Sequence, residues 1–96
     1  MPHDYTQLDN QYPGVIALMP ALFTSHQFIL RLAQQNQALY IDALAAYRCG
    51  PAPFRTLHAR LPERLHSFGH LVRHRGTIPS DDIFGHRSEC AQWEKL

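Results

Sequence analysis

Charged side chains are scarce in this sequence. They make up 18% of the 96 residues, against about 25% in a typical soluble domain. Nine basic and eight acidic side chains leave a formal net charge of +1 with histidine neutral. This balance excludes a chain that attracts nucleic acid through its overall charge. Because 45% of the residues are hydrophobic and few charges solvate the surface, we expect the protein to form a homodimer or a larger homo-oligomer.

Cysteines and long apolar runs are also scarce. Two cysteines are too few for a disulfide scaffold. The longest apolar run, residues 15–23, is broken by Pro20 and is far shorter than the ~20 residues of a membrane span. A secretion signal has basic residues before its apolar stretch, and no Lys or Arg precedes this run. We therefore expect a cytoplasmic protein with no membrane segment.

The signature motifs of enzymes and structural metal sites are absent. There is no GxSxG elbow, no phosphate-binding glycine loop, no HExxH and no CxxC. His86 and Cys90 offer a thiolate–imidazole pair, but a nucleophile also needs an oxyanion hole and a cleft. The sequence thus predicts a binding protein that has neither catalytic activity nor a cofactor.

Helical spacing dominates the middle of the chain, and no segment alternates convincingly with the two-residue period of a strand. Thr24 and Ser25 are good N-caps, and the pair at 50–51, Gly-Pro, is a good stop signal. Between them the pattern predicts one helix of about six turns. Its polar middle, around Asn36, is either a solvated turn or a polar layer that sets the register of a helix pair.

A second amphipathic pattern covers residues 53–75, where apolar side chains recur every three or four positions. Pro62 lies in the middle of it and either kinks one helix or begins a second one. After Ser80 we expect a short helical turn, and then a final helix over 89–96.

These patterns predict an all-α fold: one long helix, a kinked or split second helix and short C-terminal helices. The helical domain covers residues 25–96. An irregular N-terminal arm over 1–24 precedes it, with a helical turn or two around 17–23, because four of its residues are proline or glycine.

The charges are unevenly distributed along the chain. Residues 48–75 hold six arginines and one glutamate, net +5, whereas 1–47 and 76–96 are each net −2. The planar guanidinium suits phosphate and carboxylate. We therefore expect this segment to bind an anionic partner, nucleic acid first and an acidic protein second. The alternative is a structural protein-interaction domain whose arginines pair internally. The residues expected to contact the partner are Arg55, Arg60, Arg64, Arg73, Arg75, His66 and His70.

Part of this segment resembles, as a general pattern, a winged-helix domain. Residues 56–61, a turn near Pro62, residues 67–74 and residues 75–78 correspond to helix, turn, recognition helix and wing, over about a quarter of the chain. The chain departs from the pattern in having proline at the turn and no evident paired strands. The side chains that the resemblance directs toward DNA are His66, Ser67, His70, Arg73 and Arg75.

Seven histidines are many for a chain of 96 residues. His58, His66, His70 and His74 are separated by multiples of four, so on one helix they form a ribbon beside the apolar stripe. This ribbon is either half-packed boundary residues or part of a metal-responsive regulator. Protonation of all seven changes the formal charge from +1 to +8, so we expect stability or anion binding to change between about pH 7 and 5. The metal-ligand candidates are His66, His70, His86 and Cys90.

Overall fold

The computed structural model describes residues 3–96 and shows a mixed α/β fold. The all-α prediction is wrong, because a three-stranded antiparallel sheet accompanies the helices in this part of the chain. The elements are α1 (Thr6–Asp9), α2 (Tyr12–Leu18), β1 (Leu22–Thr24), α3 (Ser25–Gln35), α4 (Gln37–Ala45), α5 (Pro53–Glu63), a 3₁₀ helix (Arg64–Phe68), β2 (Val72–Asp81) and β3 (Arg87–Lys95).

The sheet has the strand order β1-β3-β2 and is antiparallel throughout. In the central strand β3, Trp93 lies opposite Phe23 of β1 and His74 of β2. The β2 strand carries a bulge at Arg75, because His74 and Gly76 oppose consecutive residues of β3. The predicted helix over 89–96 is therefore a strand, and the segment after Ser80 ends β2 and turns into β3.

The sequence shows no strand pattern in β2 and β3 because these strands bury few side chains. In β2 only Val72 is fully buried, and in β3 only Trp93. The bulge at Arg75 also shifts the two-residue period partway along β2. A strand with one buried side chain and a shifted period shows no apolar alternation in sequence.

The predicted long helix begins where expected but is two helices. The Thr24 hydroxyl accepts a hydrogen bond from the Gln27 backbone, and the Gln27 side chain accepts one from the Thr24 N–H, forming a capping box. Asn36, at φ −137° and ψ 56°, ends α3 and precedes α4. The polar middle of the pattern is thus a break between helices.

Pro62 lies inside one continuous helical segment, which rules out the second-helix alternative. The α5 helix runs through Pro62 to Glu63 and then tightens into the 3₁₀ helix. The Tyr12 hydroxyl donates a buried 2.7 Å hydrogen bond to the carbonyl of Leu61, the residue before the proline. Helical structure ends at Phe68, so the proposed recognition helix over 67–74 does not form, and 75–78 lies within β2.

The N-terminal segment, as far as it is described, contains two helices and a strand and contributes to the core. Tyr12 and Phe23 are among its most deeply buried side chains, and residues 1–2 lie outside the described part. None of the helices in residues 3–96 combines the length and the apolar character that crossing a membrane requires. The buried apolar side chains are Leu8, Tyr12, Val15, Ile16, Met19, Phe23, Phe28, Ile29, Leu32, Tyr40, Ala43, Leu57, Leu61, Leu65, Val72 and Trp93.

Candidate functional site

Arg64 is held by its own chain. Its guanidinium donates two hydrogen bonds to the Asp9 carboxylate, and it lies 4.5 Å from the ring centroid of Tyr5. The hydrogen bonds to Asp9 raise the pKa of Arg64 further above its usual range. This arginine connects the N-terminal segment to the end of α5, so it is not free for an external anion.

Arg73 and Arg75 share a single carboxylate on the exposed face of the sheet. Nitrogens of Arg73 and Arg75 lie 2.6 Å and 3.6 Å from Oε1 of Glu94. The hydrogen bonds from Arg73 lower the pKa of Glu94 below its usual range. Two guanidiniums and one carboxylate leave a local charge of +1 on this face.

Arg55 and Arg60 lie on the exposed side of α5. Neither forms an ion pair with a carboxylate of residues 3–96. The buried side chains of the helix are Leu57 and Leu61, whereas both arginines are exposed. Of the arginines predicted to meet a partner, these two remain unpaired within the described residues.

The histidine ribbon does not form, because its four members lie on three different elements or the turns between them. Even so, His66 and His74 meet at Trp93. Their ring centroids are 4.9 Å and 5.2 Å from the indole and 5.9 Å from each other. His70 lies in the turn before β2 and takes no part in this cluster. The two imidazoles therefore cover the buried indole from the solvent side.

The predicted metal ligands do not converge. His86 lies in the hairpin turn and Cys90 on β3, and four positions along an extended chain separate them by about 13 Å. His86 instead approaches Asp82, at 3.9 Å. Within residues 3–96, no group of three or more His, Cys, Asp or Glu side chains is arranged to hold a metal ion.

A groove of about 1050 Å³ is open to solvent on one side of the protein. Its walls are α5 from Pro53 to Pro62, the start of α3 and the β2–β3 hairpin. Phe54 of α5 and Phe84 of the hairpin turn meet edge to face across it, with ring centroids 4.9 Å apart. Both rings are about half exposed, so they form an apolar surface that is open to solvent.

Polar groups of three segments also face the groove. Among them is His58, whose Nε2 shares a 2.6 Å hydrogen bond with the hydroxyl of Tyr40, a residue of α4 outside the groove lining. Burial lowers the pKa of His58 below 6.5. The nearby His26 lowers this pKa further, whereas the Asp82 carboxylate raises it. Nδ1 of His26 is buried and has no hydrogen-bond partner among the described residues. Backbone N–H groups of His86 and Phe84 donate to Asp82 and lower its pKa, so it is ionised at neutral pH.

Sequence patterns missed this groove because its lining comes from distant segments. His26, His58 and Asp82 are 32 and 24 positions apart, so no local spacing connects them. The one local signal was Phe84 in a polar stretch, since an exposed aromatic side chain at a turn marks apolar surface.

No protein-family model matches the chain, and searches of curated proteins and of solved structures return no match.

Proposed function

We propose that the protein is a small non-catalytic module that binds nucleic acid through α5 and the β2–β3 hairpin. The order of its elements supports this: two helices, the short strand β1, two further helices, α5 and then a hairpin whose second strand lies between β1 and β2. This arrangement resembles that of winged-helix domains. In that resemblance α5 takes the position of the recognition helix and residues 82–86 form the tip of the wing.

The single observation that carries the proposal is that two arginines of α5 form no ion pair with a carboxylate of residues 3–96. Residues five positions apart on a helix point about 140° apart, so Arg55 and Arg60 border the outer face of α5. Small Ala59 lies between them, and Glu63 is the one acidic residue on that face. A helix about 10–12 Å wide fits the DNA major groove, about 12 Å wide, and arginines at its two borders reach phosphates on both sides.

The sheet face supplies weaker support. Arg73 and Arg75 are exposed, and an exposed ion pair contributes only about 0–1 kcal/mol. A phosphate therefore competes readily with Glu94 for one of the two guanidiniums. We leave Arg64 out of the proposed surface, because Asp9 already binds it in two places.

Fluorescence anisotropy with a labelled 20-base-pair duplex, measured over a series of salt concentrations, tests the proposal. We expect R55Q/R60Q to weaken binding about 10-fold or more and to lower the salt slope by about 2, since each phosphate contact contributes about 0.9. The control is R31Q/R48Q, which removes the same charge from two other exposed arginines without an ion pair in residues 3–96.

Equal losses in the two double variants contradict the proposal, since they show that only net charge matters. No salt-dependent binding by the wild-type protein favours the alternative, a structural domain that acts through protein–protein interaction.

We also propose self-association, and exposed large apolar side chains support it. Light scattering coupled to size exclusion measures it directly, and a monomer at about 100 μM protein contradicts it. The exposed side chains are Leu18, Leu22, Leu30, Ile41, Phe54, Phe84 and Leu96.

A further inference from the structure

One edge of the central strand is only partly paired. β2 pairs with β3 along its whole length, from 87 to 95, but β1 pairs only with residues 92–94. Residues 87–91 therefore have no strand on the β1 side. This open stretch borders the groove, since its residues 88–91 form part of the groove wall.

The open stretch directs backbone hydrogen-bonding groups into the groove. Neighbouring residues of an antiparallel strand send their N–H and C=O groups to opposite sides. The N–H of Lys95 donates to the carbonyl of Ala21 on the β1 side. Ala91 and Glu89 are four and six positions from Lys95, so their N–H and C=O groups also point to the β1 side. Neither has a backbone partner there within residues 3–96.

We propose that this edge is a docking site for an extended peptide with a basic side chain, which adds to the sheet as a strand in line with β1. Strand addition of this kind takes affinity from backbone hydrogen bonds and specificity from pockets for alternate side chains. Five extended residues span about 17 Å, the length of the open stretch, and the groove of about 1050 Å³ extends along it.

The groove wall supplies the specificity. Phe54 and Phe84 offer apolar contact for one side chain of the peptide. Asp82 and Glu89 against Arg55 leave the lining net −1 with histidine neutral, which favours a lysine or arginine on the peptide. The buried Nδ1 of His26, which has no partner in residues 3–96, lies in the same wall.

The opposite edge of the hairpin is unsuited to the same role. In β2 the outward-facing positions include Pro79, which has no N–H to donate, and the bulge at Arg75 distorts the edge. These features protect the β2 edge from pairing, whereas the β3 edge over 87–91 contains neither proline nor a bulge.

The probe is a capped five-residue peptide that alternates valine and lysine, labelled for anisotropy at low salt. Two control peptides have the same length: one replaces lysine by glutamate, and the other carries N-methyl groups that remove its edge hydrogen bonds. We expect each control to bind at least about 10-fold more weakly, the loss typical of removed charge-assisted or backbone hydrogen bonds. Hydrogen exchange at the amides of Glu89 and Ala91 is expected to slow when the lysine peptide binds.

Glu89→Pro removes one edge donor from the protein. Pro79, directly opposite residue 89, shows that this hairpin position accepts proline when its nitrogen faces outward. Because this change also removes a carboxylate of the groove lining, E89P is compared with E89Q, which keeps the backbone N–H. We expect E89P to bind the lysine peptide about 10-fold more weakly than E89Q. The matched control, T77P, makes the same change on the β2 edge and is expected to stay within about twofold of wild type.

Three results overturn the proposal: no binding of the lysine peptide at about 1 mM, equal binding of the N-methylated peptide, or equal losses in E89P and T77P. Binding of the N-methylated peptide is measured on the wild-type protein, so this comparison tests the proposed hydrogen bonds even if E89P unfolds. Arg55 belongs to both proposed surfaces, whereas Arg60 lies outside the groove lining. Failure of duplex binding therefore leaves this proposal standing, because the N-methylated peptide tests backbone hydrogen bonds to residues 89 and 91 that do not involve either arginine.

Discussion

A buried hydrogen bond from the Tyr12 hydroxyl stabilises the contact between the N-terminal segment and α5. Tyr12 is fully buried, and its hydroxyl pairs with the Leu61 carbonyl next to Pro62. A buried carbonyl without a partner costs about 1–3 kcal/mol. We expect Tyr12→Phe to lower the free energy of unfolding by about that amount, measured by urea denaturation with an unchanged m-value.

Tyr47→Phe is the control for that variant. It removes the half-buried hydroxyl that pairs with Tyr5, where water can replace the lost partner, so we expect a loss of less than about 1 kcal/mol. A larger loss in Tyr47→Phe than in Tyr12→Phe contradicts the assignment.

His58 makes stability depend on pH in a definite direction. Burial lowers its pKa in the folded state below the 6.5 of the unfolded chain, so the unfolded state binds the proton more tightly. Stability is therefore full above about pH 6.5 and falls as the pH drops from there toward the folded pKa, by at most about 1.4 kcal/mol per unit. The charged or titratable neighbours of His58 are Asp82, His26 and Tyr40, whose hydroxyl shares the 2.6 Å hydrogen bond with Nε2.

Urea denaturation at several pH values between about 7.5 and 5 measures this dependence. His58→Gln is expected to flatten it, whereas His70→Gln, at an exposed turn position, is expected to leave it unchanged. If the two variants behave alike, the dependence comes from the histidines collectively, as the clustering in sequence suggested.

At the scale of elements, two glycines make opposite demands on the backbone. Gly76 follows the β2 bulge and has a φ of +109°, a backbone conformation that residues other than glycine rarely adopt. Gly14 lies in α2, and a methyl group added there would contact no other atom. Gly76→Ala is expected to destabilise the fold by about 1–3 kcal/mol. Gly14→Ala is expected to stabilise it by about 0.5–1 kcal/mol. Thermal unfolding of the two variants measures both signs, and a stabilised Gly76→Ala removes the argument for a strained bulge.

The sequence predicted the ends of an element correctly where interactions between residues a few positions apart determine them. Thr24 caps α3 as predicted, since the capping box needs only residues three positions apart. Asn36 and Val72 were misassigned. Asn36 ends a helix whose apolar spacing continues beyond it, and Val72 fits the helical stripe of α5 yet begins a strand. Periodicity alone does not separate these cases, because tertiary pairing overrides local preference.

At the scale of the molecule, the N-terminal segment is part of the core. Residues 8–23 supply six of the sixteen buried apolar side chains. We expect a chain that begins at residue 25 to remain unfolded, because losing several core side chains, each worth about 1.5–3 kcal/mol, exceeds the stability of a small domain. Dispersion of amide signals in NMR spectra measures this, with a chain that begins at residue 4 as the control. A folded 25–96 fragment instead makes residues 1–24 a separate arm.

The candidate site was only partly predictable. The concentration of arginine over 48–75 was visible in sequence, but which arginines are paired was not. Arg64 meets Asp9 from 55 positions away, and Arg73 meets Glu94 from 21. The groove was invisible for the same reason, since its walls come from three separate parts of the chain.

By itself, the sequence determined the features that depend on neighbours a few positions apart. These are the cap at Thr24, the amphipathic helix that contains Leu57 and Leu61, and the uneven distribution of charge. Only the tertiary structure decided the sheet, the bulge, the pairing of three arginines and the open edge of β3. Strand pairing and ion pairing depend on residues that are distant in sequence, and their energy is realised only once the chain has closed the loops between them.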